Sequence, residues 1–253
     1  MTTLFAIYFF VLGTLLGSFF NVVGYRLPRN QSIVKPRSHC PNCNHVLTPL
    51  ELIPILSFLI QGGRCKNCNQ KISWFYTIFE FITGSLFALS FLLFGFSIQL
   101  VLVLLFISMS VIVFISDYQT MIIPDQVLIF FTIAFLVILF FKGGVSSTLF
   151  AVLNGFISFS IMFLIKKIGD FLFKRESMGG GDIKLMGVIG LVLGYQLSIV
   201  SIFLGSIIGL PVSIMILKLK RTNIVPFGPF LCIGALILLL LNVDFNGLLA
   251  IIY

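Results

Sequence analysis

Long runs of apolar residues alternate with short polar stretches along most of the chain. The runs lie at residues 4–24, 76–95, 98–116, 126–142, 147–165, 184–195, 197–217 and 230–251. Most approach the ~20 residues with which an α-helix crosses a ~30 Å hydrocarbon layer. The run 184–195 is short and rich in glycine, so a helix there needs shelter from neighbouring helices. The pattern predicts an all-α polytopic membrane protein with about eight transmembrane helices.

The composition agrees with a location in the lipid bilayer. Of the 253 residues, 59% are hydrophobic and 9% are charged, and the mean hydropathy is +1.16. Soluble domains carry about 25% charged residues, so this chain is not expected to dissolve in water. The first apolar run has no basic segment before it and no clear small-residue cleavage site, and we interpret it as a retained helix rather than a signal peptide.

The basic residues predict how the chain is oriented. All but Lys142 fall in the loops after the first, fifth and seventh runs or at the start of the sixth: Arg26, Arg29, Lys35, Arg37, Arg64, Lys66, Lys71, Lys166, Lys167, Lys174, Arg175, Lys184, Lys218, Lys220 and Arg221. Eight spans with an external N-terminus place all of these loops in the cytoplasm, as the positive-inside rule requires. The loops lack sustained aromatic interleaving, so we expect no nucleic-acid partner.

The largest polar insertion divides the chain into three predicted parts. They are a first transmembrane helix at 1–24, a cytoplasmic loop at 25–75 and a membrane-embedded domain at 76–253. The loop contains "CPNC" and "CKNC", which supply four thiols: Cys40, Cys43, Cys65 and Cys68. Two C-x2-C pairs at this separation resemble a zinc ribbon, in which four thiolates surround Zn²⁺.

Two disulfides are the alternative use of these cysteines. A reducing cytoplasm opposes disulfides, so the predicted topology favours a structural zinc ion that folds the small loop. His39 and His45 flank the first pair and could replace a ligand, but four cysteines already fill the coordination shell. We expect both histidines to lie at the surface or beside the ligands.

Two acids mark a candidate catalytic pair. Asp117 follows the apolar run that ends at Ser116, and Asp182 begins the sixth run on the same predicted membrane face. Two carboxylates held together resist full ionisation and share one proton, which is the arrangement that activates water for amide hydrolysis. Asp125 follows Pro124 and is interpreted as a helix cap or a positioning residue rather than a catalytic group.

Three glycines precede Asp182. In the stretch "RESMGGGDIKLMG" at 175–187 they give the backbone freedom and let a substrate strand approach. A phosphate-binding loop would need G-x-x-x-x-G-K-[ST], and no hydroxyl follows the lysine here. A flexible loop without a catalytic role is the alternative interpretation of this segment.

These motifs together resemble one known family. They are "GSFFNVVGYRLPR" at 17–29, the cysteine pairs flanking "ELIPILSFL", "DYQTMIIPD" at 117–125, "MGGGDIKLMG" at 178–187 and "PFGPFL" at 226–231. The chain resembles the bacterial type IV prepilin leader peptidases, which are GxGD-type intramembrane aspartic proteases. The resemblance implies that Asp117 and Asp182 are the catalytic residues and that the enzyme lies in the bacterial cytoplasmic membrane, with its active site facing the cytoplasm.

The resemblance also implies the substrate and a second activity. A prepilin or pseudopilin would be cut after a glycine just before its hydrophobic helix. The products of such cleavage would function in type IV pili, competence or protein secretion. Many members then N-methylate the new terminus with S-adenosylmethionine, an activity associated with the cysteine loop. The segment "ISWFYTIFE" at 72–80 lacks the Arg and Pro of the family's usual "I-S-x-R-Y-P-x-x-E", although Glu80 is in place.

Several alternatives therefore stay open at this point. A peptidase without methyltransferase activity would cut the prepilin and leave its new terminus unmodified. An ion-coupled transporter predicts acids near the middle of the bilayer on broken helices, whereas a metal-dependent scaffold predicts that only the cysteines matter. The residues that would bind S-adenosylmethionine and the oligomeric state do not follow from the sequence.

Overall fold

The computed structural model describes residues 1–220, 225–243 and 245. Within these residues it contains eight α-helices: Thr2–Arg26 (α1), Leu56–Ile60 (α2), Trp74–Phe94 (α3), Ile98–Thr120 (α4), Asp125–Phe173 (α5), Gly180–Leu193 (α6), Tyr195–Lys220 (α7) and Gly228–Leu240 (α8). Two short 3-10 helices cover Leu27–Arg29 and Pro49–Leu52. The described chain contains isolated β-bridges but no β-strand, and the predicted all-α class is confirmed.

Five helices of the described part are long and apolar enough to cross a membrane: α1, α3, α4, α5 and α7. The shorter α6 and α8 have 14 and 13 residues. The predicted run 230–251 is helical as far as Leu240, and its positions 244 and 246–251 lie outside the described residues. The total of eight spans stays a prediction.

The long helix α5 is interrupted at Gly144. This residue has φ 67° and ψ −166°, a conformation open to glycine and strained for other residues, so the 49-residue element consists of two helices. The break falls between the predicted runs 126–142 and 147–165. The second half continues through the basic stretch after residue 165 and ends at Phe173, about two turns later than the apolar pattern indicated.

The chain divides into two compact units, and the first is Met1–Leu100. Here α1 and α3 pack closely at small residues: a Cβ on Gly13 would lie 2.8 Å from the Gly84 Cα, and one on Gly17 would lie 3.1 Å from the Glu80 Cα. One turn further along α1, Asn21 donates to the backbone carbonyl of Tyr76 at 3.2 Å. Positions rise on α1 as they fall on α3, so the two helices run antiparallel.

The second unit is Val101–Tyr253. The side chains of Phe106, Ile107 and Met109 on α4 are fully buried. Helices α5 and α6 approach each other closely at Gly155, where an added Cβ would lie 2.9 Å from the Gly187 carbonyl oxygen. Small residues at such crossings are typical of helices that pack within a membrane. The ends of α4, α6 and α8 in this unit carry the candidate active site.

Candidate active site and metal centre

Asp117 lies in the last turn of α4. The apolar pattern ends the helix at Ser116, but the structure extends it to Thr120, where the next residue, Met121, adopts a left-handed conformation with φ 55°. The Met121 amide donates to the Asp117 carbonyl at 2.9 Å, and the Ser116 hydroxyl donates to the Ile122 carbonyl. Asp117 therefore lies within a helix rather than on a loop. The residue is 6% exposed.

Asp182 lies in the first turn of α6. Gly179 is the N-cap and Asp182 is the third helical residue, where the helix dipole favours a negative charge. The side chain is 8% exposed. A Cβ on Gly181 would lie 3.0 Å from the Ile123 side chain, so the glycine at this position admits the chain that leads from α4 to α5.

The two carboxylates meet at Gly228, the first residue of α8. A Cβ at this glycine would lie 3.0 Å from Asp117 Oδ2 and 3.3 Å from Asp182 Oδ1, so both groups face one small space. Asp117 Oδ2 is buried and has no hydrogen bond of good geometry within the described part of the chain, although the Gly228 backbone amide lies beside the carboxylate. A buried acceptor without a partner is a place for a water molecule or a substrate donor. Gly228 was not singled out from the sequence, although the motif "PFGPFL" contains it.

Asp125 does not cap a helix. The N-cap of α5 is Pro124, and Asp125 is the first helical residue, without a capping hydrogen bond from its side chain. Its two carboxylate oxygens accept from Lys184 Nζ at 2.7 and 2.8 Å. The capping interpretation is wrong, and the ion pair instead ties the start of α5 to the helix that carries Asp182.

The four cysteines of the polar loop gather at one point. Their sulfur atoms all lie within 4.8 Å of one another, with Cys40 to Cys68 at 3.8 Å and Cys43 to Cys65 at 3.9 Å. Four thiolates around Zn²⁺ at ~2.3 Å would have sulfur–sulfur separations of about 3.8 Å. None of the four forms a disulfide, so the donor set and its spacing suit a tetrahedral metal ion.

Two copies of one local turn create this arrangement. In both "CPNCN" and "CKNCN" the final asparagine is left-handed, with φ 55° at Asn44 and 56° at Asn69. Each donates its amide to the carbonyl of the first cysteine of its pair, in both cases at 2.9 Å. Asparagine tolerates this conformation better than most residues, which explains why the same turn forms twice.

Backbone hydrogen bonds lower the pKa of two of these thiols. A hydrogen bond from the Gln70 backbone lowers the pKa of Cys68 to about 6, and the amides of Cys43 and Asn42 lower the pKa of Cys40. Hydrogen bonds to a thiolate favour the charged form, which is the form that binds a metal.

The two histidines of the loop make other contacts. His45 Nε2 lies 3.2 Å from Glu51 Oε2, and the ring of His39 contacts the Arg37 carbonyl at 3.0 Å. Glu51 also accepts from the amide and hydroxyl of Thr48, and the amide bond is the main reason that its pKa falls to about 2.

Two buried carboxylates that face one space are typical of aspartic proteases, and here they lie at the ends of apolar helices. Two family descriptions match the chain: "Bacterial Peptidase A24 N-terminal domain" over residues 11–94 and "Type IV leader peptidase family" over residues 104–214. The chain belongs to the type IV leader peptidase family.

Individual relatives agree with this assignment. The chain is 38% identical to a prepilin leader peptidase/N-methyltransferase of Bacillus subtilis (strain 168), over 90% of this chain and 91% of the relative. It is 31% identical to the protein of the same description from Neisseria gonorrhoeae, over 92% of this chain and 89% of the relative. No solved structure matches the chain.

Proposed function

We propose that the protein is a prepilin leader peptidase that also N-methylates the new terminus of its product. Relatives described by both activities match about nine-tenths of the chain, which supports the enzyme class and both reactions. The observation that carries the peptidase assignment is the convergence of Asp117 and Asp182 on Gly228. The substrate is a prepilin or pseudopilin, embedded by its hydrophobic helix in the same bilayer.

The paired carboxylates perform the hydrolysis. One is ionised and takes a proton from a water molecule held at the free Asp117 oxygen, and the resulting hydroxide attacks the carbonyl carbon of the scissile bond. The other carboxyl is protonated and gives its proton to the departing amine. The bond breaks to leave a leader carboxylate and a new α-amino group. Burial strengthens each of these electrostatic contacts because water does not screen them.

The site faces the cytoplasm. Lys166, Lys167 and Lys174 follow the apolar part of α5 and precede the glycines at 179–181, so positive charge surrounds the chain that leads to Asp182. Lysine-rich ends stay on the cytoplasmic side of a bacterial membrane. Asp117 and Asp182 both occupy helix ends rather than helix centres, which favours a peptidase at the membrane surface over an ion-coupled transporter.

The cysteine loop at 25–75 is a structural zinc site. Cys40, Cys43, Cys65 and Cys68 hold the ion, whose chemical contribution is to fold a loop too small for a core of its own. The peptidase domain occupies 76–253. Methylation uses S-adenosylmethionine as methyl donor.

One assay separates the proposed activities. The purified protein is mixed with a prepilin and S-adenosylmethionine, and the N-terminus of the product is read by mass spectrometry. We expect a product that has lost its leader and gained a methyl group. A shortened but unmethylated product would reduce the proposal to a peptidase alone. An intact prepilin together with ion flux in reconstituted vesicles would support a transporter instead.

A further inference from the structure

The first unit contains a polar cluster that the hydrolysis reaction does not use. It lies in the seam between α1 and α3, where Gly17 faces Glu80 and Asn21 faces Tyr76 one turn further along. Glu80 and Asn21 therefore lie one helical turn apart along this seam. Both side chains are more than nine-tenths buried, with exposed fractions of 8% and 5%.

Glu80 is a buried carboxylate without a cation. Its Oε2 accepts the backbone amide of Ile55 at 2.9 Å, and Ser18 on α1 also faces the carboxylate. Within the described residues, the ion pairs involve Glu51 and Asp125 and never Glu80. A buried charge is costly unless a partner of opposite charge accompanies it, so Glu80 either stays protonated or takes a cation as its partner.

The amide that contacts Glu80 comes from a strained residue. Ile55 has φ 63° and ψ −55°, which is an outlier for a β-branched side chain. Such strain persists only where the surrounding structure enforces it, and it often marks a functional site. The amide of this strained turn lies directly on the Glu80 carboxylate.

Asn21 supplies a second unused acceptor. Its Nδ2 donates to the Tyr76 carbonyl, whereas its Oδ1 is buried without a partner in the part of the chain that the structure describes. The cluster thus offers a carboxylate and an amide oxygen, and no charged donor of the described chain forms an ion pair with the carboxylate. Divalent cations prefer six or more oxygen ligands, which two side chains do not provide. A primary ammonium group has three donors and suits these acceptors.

We propose that Glu80 and Asn21 form the binding site for the α-amino group of the cleaved prepilin during its methylation. The inference rests on the proposed methyltransferase function. The ammonium replaces the Ile55 amide on Glu80 and donates a second hydrogen bond to Asn21 Oδ1.

Glu80 then serves as the proton acceptor. It takes one proton from the ammonium, so the nitrogen lone pair forms a bond to the methyl carbon of the sulfonium donor. The methyl–sulfur bond breaks and its electron pair remains on sulfur, which becomes a thioether. The product is a methylammonium, and Glu80 returns its proton to water.

The substitution Glu80→Gln distinguishes a cation-binding role of Glu80 from a purely structural one. Glutamine still accepts the Ile55 amide, so an anchor would survive this change, whereas a cation site would lose its charge. Asn21→Leu removes the free acceptor at similar volume, and Asn21→Asp retains it. Thr83→Val is the matched control, because Thr83 is buried in the same seam and its hydroxyl, among the described residues, bonds only to the Phe79 carbonyl of its own helix.

The direct test is peptide binding to the full-length protein in detergent micelles. The probes are two synthetic peptides that copy the first turns of a mature prepilin, one with a free α-amine and one N-acetylated. We expect the wild type and Thr83→Val to bind the free amine about tenfold more tightly than the acetylated peptide, as one charge-assisted contact allows. Glu80→Gln and Asn21→Leu should lose this preference, and Asn21→Asp should keep it. An unchanged preference in Glu80→Gln overturns the inference.

Co-expression with a prepilin gives a second readout. Glu80→Gln should leave cleavage intact and lower the methylated fraction about tenfold. Equal methylation in Glu80→Gln and the wild type contradicts the inference. If the wild type cleaves without methylating, the proposed second activity fails, and the peptide comparison still decides whether the amine site exists. Retained metal content shows that the loop is folded, and Asn21→Leu carries the test if Glu80→Gln loses the metal.

Discussion

The cysteine centre and the aspartate pair are built in opposite ways. The cysteines come from two copies of one short turn, each of which forms through hydrogen bonds within a few residues. The aspartates and Gly228 come from three distant parts of the chain and meet only when α4, α6 and α8 pack. A local turn can be inferred from its own residues, whereas a site between helices depends on the packing of the whole unit. Substitutions should therefore affect the two centres differently, through the cleavage rate at the aspartates and through folding and metal content at the cysteines.

The largest effect is expected at the catalytic pair. Asp117→Asn or Asp182→Asn removes one member of the proton-sharing pair while keeping its volume, and we expect the cleavage rate to fall about a thousandfold or more. Steady-state cleavage of a purified prepilin measures this loss. Glu176→Gln, at an exposed acid close to the glycines, should retain the wild-type rate. A loss of similar size in Glu176→Gln would indicate a general effect of charge.

Removal of one cysteine should unfold the loop. Because metal binding supplies the folding free energy of such a loop, Cys65→Ser should lose the ion and become sensitive to proteases within 25–75. Elemental analysis of the purified protein should find one zinc ion per wild-type chain and close to none in the variant. Cys232→Ala is the control, since this buried cysteine lies on α8, outside the cluster. Metal-free wild-type protein with a folded loop and reduced thiols would disprove the zinc site.

A smaller effect is expected when a methyl group enters the active site. In Gly228→Ala the new Cβ would lie 3.0 Å from both Asp117 Oδ2 and Ile123 Cδ1, so the carboxylates must shift. A misplacement of ~1 Å can cost about a hundredfold in rate, so the shift of a few tenths of an ångström needed here should cost roughly tenfold. Cleavage kinetics should show the loss in Gly228→Ala and not in Gly180→Ala, where a Cβ would have no neighbour within 4 Å. Equal rates in Gly228→Ala and the wild type would contradict the proposed geometry.

The smallest effect concerns pH and the loop. The pKa of Glu51 is lowered to about 2, mainly by the Thr48 amide, so its carboxylate form stabilises the folded loop. This contribution is complete above the unfolded value of ~4.3 and disappears as the pH falls toward 2. In chelator competition at neutral pH, where the carboxylate form of Glu51 prevails, wild-type protein should hold its metal severalfold longer than Glu51→Gln. Equal retention of the metal by the two proteins would contradict this role.

Apolar periodicity predicted the positions of most helices. The runs at 4–24 and 76–95 correspond to α1 and α3, and the interruption near Gly144 was visible as a polar gap. Helix ends were less predictable, because polar residues can continue a helix when the backbone finds partners. Asp117 lies inside α4 for this reason, with Met121 rather than Ser116 marking the end.

The acids of the candidate site could be inferred, but their neighbours could not. Asp117 and Asp182 stood out because charged residues are rare in apolar helices. Gly228 and Ile55 gave no such signal, since the role of a glycine beside a carboxylate, or of a strained isoleucine, depends on distant packing. The contact of Lys184 with Asp125 likewise joins residues from two helices and has no local signature.

The most direct test of the account is the N-terminal mass of a prepilin co-expressed with the wild type, each single aspartate variant and the double variant. The wild type should yield a shortened prepilin. Asp117→Asn, Asp182→Asn and the double variant should all leave the leader attached to the same extent, because the two carboxylates act as one unit. A shortened prepilin at the wild-type level in either single variant would contradict the central claim.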